Sequence, residues 1–267
     1  MSLESASITQ EELARAIREG YMTVMYQPIV EAETARLVCL EALVRMKRPN
    51  GEPVMPDEFI PLAESSDLIL ELGEWVLRRA CTEGLRWPGL RIAVNMSPKQ
   101  LQHNGFVMTV QRVLHETGFP PGRLELELTE RSALDDVAKA EAGMNALRNF
   151  GVRIALDDFG TGYSGLIYLR RLPLDKIKID RAFMDSLGKS PEADILMRSM
   201  VKLGRDLGMT VTAEGVEEPA HQEMLAQVGC HELQGYLFSR PLTASDIDTL
   251  YRLRAPTEPQ PSIAGAA

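Results

Sequence analysis

Glu41, Asn95, Glu127, Asp157, Asp158, Lys178, Glu214 and Gln234 each lie at or just before the end of a short segment with strand-like character. Five are carboxylates, two are amides and one is a lysine. Oxygen-rich sets of this kind ligate hard divalent cations. Two such cations a few ångströms apart would need about this many oxygens, and could hold a phosphate ester while deprotonating a water between them. Lys178 would then orient that water or stabilise charge on the phosphoryl group. Strand alternation puts Arg45 on the side of Glu41, where its guanidinium offers a fork to a phosphate oxygen.

Each residue alone has a blander reading. Glu41 could be a surface glutamate on an edge strand, and Asn95, before Ser97-Pro98, could belong to a helix start. Lys178 could serve a structural ion pair with the neighbouring acids. Asp157-Asp158 is sharper, because adjacent carboxylates repel and a buried strand end rarely keeps both without a cation. The glycines that follow, Gly160 and Gly162, would let the loop adopt positive φ and approach a ligand closely. Glu214 precedes a glycine turn, and Glu217, further along, could anchor that turn or a ligand.

Strand-and-helix alternation explains how such residues could meet. Thr9 with Glu12 forms a capping box for a helix over residues 10–19, with Gly20 as its stop. Strands are predicted over 22–30 and 36–46. About six residues join them, too few for a parallel crossover, so the pair should be an antiparallel hairpin. Further strands are predicted over 90–95, 124–130, 152–158, 175–180, 209–214 and 231–236, and helices over 106–116 and 193–207. The latter carries Ile195, Leu196, Met200, Leu203 and Leu207 near helical spacing. In 124–130, Leu124, Leu126 and Leu128 share one face and Glu125 and Glu127 the other. With the leucines against helices, the glutamates point inward, and Glu127 lies nearer the strand's end. About eight strands fit one β/α barrel, whose strand ends converge on one mouth where enzymes of this fold work. Residues 9–253 form that domain. Residues 1–8 read as a flexible segment, and 254–267, rich in Pro and Ala, as a disordered tail.

The chain has 267 residues, 45% of them hydrophobic and 25% charged, which suits a globular domain with a real core. Its net charge of -9 argues against a nucleic acid polymer as partner. A small phosphorylated ligand is still compatible, since bound metal ions reverse the charge of an acidic pocket. Cys39, Cys81 and Cys230 are spaced for neither zinc nor disulfides, which fits a cytoplasmic setting. No segment reaches the ~20 apolar residues of a membrane span, and residues 1–7, with neither a basic n-region nor an apolar h-region, give no expectation of secretion.

Over residues 10–252 the chain closely resembles the EAL domain, the bacterial cyclic di-GMP phosphodiesterase. The resemblance rests on YQPIV (26–30), EALVR (41–45), NMSPKQL (95–101), ELTE (127–130), DDFGTGYSGL (157–166), LPLDKIKID (172–180), AEGVE (213–217) and QGYLFSRPL (234–242). It implies an α/β fold, a modified (β/α)8 TIM barrel with one antiparallel strand near the N-terminus. It implies hydrolysis of cyclic di-GMP to pGpG with Mg²⁺ or Mn²⁺ at a two-metal site. Carried over by motif, Glu41, Asn95, Glu127 and Asp157 would ligate metal, with Asp158 at the second ion and Glu214 on metal or water. Lys178 would act on the attacking water as general base or as its positioner. Gln27, Leu43, Arg45, Asp180, Glu217 and Gln234 would bind substrate or support the water and metal shell. Glu130 would hold the DDFGTG loop, which in the family couples dimer contacts to activity. A homodimer, and linkage to sensor or diguanylate cyclase domains, are further expectations.

Three positions depart from the family. Met46 stands where an aromatic residue is usual, which would weaken stacking or packing beside the substrate. Gly165 replaces a frequent serine in the loop, adding flexibility. His231 stands where aspartate is common. No expected metal ligand is lost, so the chain should be an active enzyme. The alternatives are a non-catalytic cyclic di-GMP receptor or scaffold, and a metal-dependent barrel lyase in which Lys178 abstracts a carbon-bound proton.

Overall fold

The Thr9 hydroxyl accepts a hydrogen bond from the Glu12 amide while the Glu12 carboxylate accepts one from Thr9. That reciprocal cap starts α1 (Gln10–Glu19), and Gly20 ends it at φ 84°. The chain, a computed structural model, is described over residues 8–130, 136–162 and 165–254. The expected flexible ends fall largely on 1–7 and 255–267, outside the described residues. Ile8 is buried in the core.

After α1 come β1 (Met22–Glu31), β2 (Leu37–Lys47), β3 (Pro53–Val54), α2 (Pro56–Glu64), α3 (Leu68–Gly84), β4 (Arg91–Asn95), α4 (Pro98–Leu101), α5 (Phe106–Thr117), β5 (Leu124–Thr129) and α6 (Val137–Asn149). β6 (Arg153–Phe159), α7 (Gly165–Arg171), β7 (Lys176–Ile179), α8 (Pro191–Asp206), β8 (Thr210–Ala213), α9 (Pro219–Gln227), β9 (Glu232–Gln234) and α10 (Ala244–Arg254) complete the described fold. Strands run β1-β9-β8-β7-β6-β5-β4-β2, and the β1–β2 pairing closes the circle. β1 is antiparallel to both β2 and β9, while the remaining barrel pairings are parallel. This is the modified (β/α)8 barrel, and the short 31–37 connection is its physical cause: it has no room for a crossover helix. β3, two residues added beside β2, was not anticipated from the sequence.

Alternation sorts each strand between two environments. Leu124, Leu126 and Leu128 of β5, and Ile177 and Ile179 of β7, join the hydrophobic core between barrel and helices. Glu125, Glu127, Lys176 and Lys178 turn to the barrel interior, all fully buried. There they form two polar layers, Glu127 and Lys178 near the mouth and Glu125 and Lys176 beneath. Ile29, Cys39 and Ala93 form a small separate apolar patch.

Two sequence expectations change. α8 buries Met197, Met200, Val201 and Gly204, leaving Ile195, Leu196 and Leu207 exposed. Gly204 lies at the contact with the sheet, where an added Cβ would come within 2.6 Å of Val211 and 2.8 Å of Ile177. Met46 is buried in the hydrophobic core and lies outside the cavities at the mouth, so its departure from the family does not touch them. Gly165 opens helix α7, while Tyr163 and Ser164 of the same loop lie outside the described residues.

Candidate active site

Lys178 is the centre of the mouth. Fully buried on β7, its Nζ lies 2.7 Å from Glu214, 2.9 Å from Glu127, 3.3 Å from Asp157 and 3.5 Å from Glu41. These acids come from different strands or strand ends, and register brings them level. Glu41 on β2 pairs with Ala93 on β4, Asn95 with Glu127, and Thr129 with Asp157. Glu214 directly follows β8, its amide donating to the Ile179 carbonyl at 3.0 Å.

Amides hold Glu41 from two sides. Asn95 Nδ2 donates to its Oε1 at 2.9 Å, and Gln234 Nε2 to its Oε2 at 2.6 Å. Gln27 sits opposite Glu41 in the β1–β2 register and donates weakly to the Ser239 carbonyl at 3.5 Å.

Regular alternation would send Asp157 and Asp158 to opposite faces. It fails here because the β6–β7 pairing shifts register between Leu156 and Phe159, and Asp158 takes φ 56°. A bulge re-aims a side chain in this way, and positive φ on a non-glycine residue stores strain. As a result Asp157, Asp158 and Glu214 each present an oxygen, all within 4.8 Å of one another. The loop beyond is tied back by Glu130, whose Oε2 accepts from the Gly160 amide at 2.7 Å. Gly160 has the expected positive φ, at 98°. Gly162 does not. Its missing Cβ leaves room for Glu130, which would lie 2.8 Å away. The space gained at both glycines is filled by Phe183 and Glu130 rather than opened to a ligand.

One lysine faces five carboxylates, and their proton affinities record the imbalance. Burial and then neighbouring acids push Asp158 up to about 6. Burial, opposed by Lys178 and reinforced by Asp157 and Glu41, pushes Glu214 up to about 8. Burial likewise raises Glu127 and Asp157. Glu41 alone moves down: Lys178, Gln234 and Asn95 outweigh the burial that pushes it up. Burial lowers Lys178, but its four carboxylate neighbours together hold it well above the ordinary range, as an ammonium. Two buried oxygens, Glu127 Oε1 and Gln234 Oε1, lack a partner among the described residues. Excess buried acid and orphaned oxygens are what a divalent cation site supplies, so these residues fit a bound metal.

A cavity of about 240 Å³ opens above, lined by Gln27, Glu41, Leu43, Asp157, Glu214, Glu217 and Gln234. Arg181, Gly215, Gly235 and Tyr236 also line it; the sequence had not singled them out as site residues. The glycines carry a signal in hindsight. Gly215 has φ 69°, and a Cβ there would lie 2.4 Å from the Arg181 Cβ. At Gly235 a Cβ would meet the Val216 carbonyl oxygen at 2.0 Å. Tyr236 is half exposed, with the Arg240 guanidinium 4.1 Å from its ring centroid. An adjoining cavity of about 320 Å³ shares Leu43 and is lined by Arg45, Ile60, Asn95 and Met96. Arg45 makes no ion pair among the described residues, and donates to the Val44 carbonyl at 2.8 Å. Asp180 lines neither cavity. It caps the short 3-10 helix Arg181–Phe183, accepting from the Ala182 amide at 2.9 Å. His231 is also remote, accepting from the Val211 amide at the other end of the barrel.

A barrel with this mouth has close counterparts. Residues 10–241 match the EAL domain family, and the chain belongs to that family. MucR of Pseudomonas aeruginosa, a bifunctional diguanylate cyclase/cyclic di-GMP phosphodiesterase, is 39% identical over 241 residues, covering 88% of this chain and 35% of MucR. The cyclic di-GMP phosphodiesterase NbdA of the same organism is 39% identical over 248 residues, covering 91% of this chain and 32% of NbdA. The solved PaMucR phosphodiesterase, in complex with c-di-GMP, superposes with a TM-score of 0.82 at 39% identity, covering 89% of this chain and 98% of that one. An EAL domain protein from Listeria monocytogenes superposes at 0.83 with 31% identity, covering 92% and 98%. The chain spans about a third of the length of the curated relatives it matches. Among the described residues, no helix is long and apolar enough to cross a membrane.

Proposed function

We propose that this chain hydrolyses cyclic di-GMP to linear 5'-pGpG with Mg²⁺ or Mn²⁺ held at the barrel mouth. The observation that carries the proposal is the mouth itself: five carboxylates gathered around Lys178 in a chain of the EAL domain family. Glu41, Asn95, Glu127 and Asp157 would hold one ion, and Asp158 with Glu214 the second. When bound, the ions supply phosphate charge neutralisation and a water of lowered pKa.

In the overall reaction a water oxygen bonds to one phosphorus, the bond from that phosphorus to a ribose 3'-oxygen breaks, and the 3'-oxygen takes a proton. Lys178, kept as an ammonium by its neighbours, has protons to donate and no free lone pair. In that form it would orient the water oxygen and stabilise phosphoryl charge. Asn95 and Gln234 fix both Glu41 oxygens in place. Arg45, free of carboxylate partners among the described residues, offers two donors to a phosphate oxygen. Gln27, Leu43 and Glu217 shape the cavity, where the Tyr236 ring offers a surface for a base. Glu130 keeps the Asp157-Asp158 turn in place through Gly160. A homodimer belongs to the proposal, as does a chain joined to further signalling domains, the latter in keeping with the greater length of its relatives.

The test is incubation with cyclic di-GMP and Mg²⁺ or Mn²⁺, with products resolved by chromatography. Metal-dependent appearance of pGpG is the expected result. Binding without turnover would move the assignment to a receptor, and neither would overturn it.

A further inference from the structure

Beneath the mouth lies a second buried ion cluster that the proposed reaction does not use. Lys176 Nζ lies 2.6 Å from Glu125 and 2.8 Å from Glu232. Arg91 pairs with both glutamates, Arg153 with Glu125 at 3.4 Å, and Thr212 donates to Glu232 at 3.2 Å. Lys176 and Glu125 are fully buried. Unlike the mouth, this layer has three cations for two carboxylates, and it has no orphaned buried atom among the described residues. It is charge-complete and needs no metal.

Its placement repeats the mouth one step down. Glu125, Lys176 and Glu232 each precede by two residues, on the same strand face, a mouth residue: Glu127, Lys178 and Gln234. β7 is separated from β5 by β6 and from β9 by β8. Lys176 therefore ties strands that share no backbone hydrogen bonds. The intervening β6 sets Ala155, too small to brace the lumen by packing, opposite Lys176, while its Arg153 reaches Glu125. On the far side the layer borders a cavity of about 1040 Å³ lined by Arg91 and Glu232, so it is also the partition between the mouth and the opposite end.

We infer that Lys176, with Glu125 and Glu232, is a positioning cluster that sets β5, β7 and β9 against one another and so aims Glu127, Lys178 and Gln234 at the reaction centre. The inference rests on the phosphodiesterase reading of the mouth. Residues supporting metal ligands from behind typically change metal affinity or activity about 10–100-fold when removed.

The test compares wild type with Lys176→Met at a temperature where thermal scans show both folded. Mn²⁺ affinity is measured by calorimetry without substrate, and kcat and KM for cyclic di-GMP are measured separately. The expected result is Mn²⁺ affinity and kcat each down about tenfold or more, with KM within about threefold. Wild-type Mn²⁺ affinity and kcat in a folded but less stable variant would overturn the inference, because a purely structural brace moves only the melting temperature. If Lys176→Met does not fold, Lys176→Met/Glu125→Gln, which removes the buried pair and leaves Arg91 its partner Glu232, takes its place in the same comparison. Failure of both to fold would overturn it too, assigning the cluster to stability. Should wild type itself not turn over cyclic di-GMP, the functional reading fails while the Mn²⁺ titration still decides this one.

Discussion

Replacing Lys178 with methionine separates the two charges the mouth must balance, its own ammonium and the incoming cations. In metal-free protein, Lys178 is the cation within 3.5 Å of Glu41, Glu127, Asp157 and Glu214. Removing one partner of a buried ion pair costs about 3–5 kcal/mol. Glu214, already at about 8, escapes part of that penalty by staying protonated near neutral pH, which favours the lower figure of about 3 kcal/mol. At about 2–4 °C per kcal/mol, Lys178→Met in EDTA should melt about 6–12 °C below wild type. Metal reverses the order of gains. In wild type the cations must displace or crowd the ammonium, whereas in the variant they meet unopposed carboxylates. Each tenfold gain in affinity adds about 1.4 kcal/mol at saturation. The Mn²⁺-induced rise in melting temperature should therefore be larger in Lys178→Met than in wild type, while turnover is lost. The assay is thermal unfolding of both proteins in EDTA and in saturating Mn²⁺. Equal melting temperatures in EDTA, or equal Mn²⁺ increments, would refute the view that Lys178 is the counter-charge of the acidic mouth in metal-free protein.

Two further perturbations bear on the same account. Asp158→Gly removes a carboxylate and relieves φ 56°, so metal-free protein should gain about 0.5–1 kcal/mol while turnover falls at least about 100-fold; a less stable or fully active variant in parallel melting and turnover assays would contradict this. Burial pushes Glu232 up, but Lys176 and Arg91 outweigh it and bring it down to about 2. Because its folded value lies below the unfolded one, its stabilisation is present above about 4.5 and is lost as pH falls towards 2. The contribution is about 3 kcal/mol at pH 7 and about 1.4 kcal/mol at pH 3. Urea unfolding of wild type and Glu232→Gln should accordingly show a gap that narrows in acid, and a gap independent of pH would show that Glu232 carries no such linkage.

Much of the barrel was legible because period-two alternation survives in single segments. Leu124, Leu126 and Leu128 against Glu125 and Glu127 is unambiguous, and the short 31–37 connection forced an antiparallel β1. The same alternation puts Lys176 beside Lys178. Lys176 carries no signal of chemistry because it lies two residues short of Lys178, at the strand end where barrel chemistry gathers, although the lower layer is as buried as the upper. How Asp158 comes to face the same way as Asp157 was illegible for a different reason. A bulge and a positive φ turn it to the side of Asp157, and neither is written in residue types. α8 misled because its closest approach to the sheet is made by Gly204, which carries no hydrophobic signal, while Ile195 and Leu196 carry one and face outward. Arg181, Gly215 and Tyr236 reach the cavity through turns whose geometry depends on close backbone contacts rather than on periodicity.

The most direct test of the central claim is hydrolysis of cyclic di-GMP by wild type and Glu41→Ala, side by side, in Mn²⁺ and in EDTA. Glu41 joins Asn95, Gln234 and Lys178 at one point, so its loss should dismantle the metal site and abolish turnover. The account predicts pGpG from wild type in Mn²⁺ alone, and none from Glu41→Ala. Wild-type turnover by Glu41→Ala, or turnover by wild type in EDTA, would contradict it.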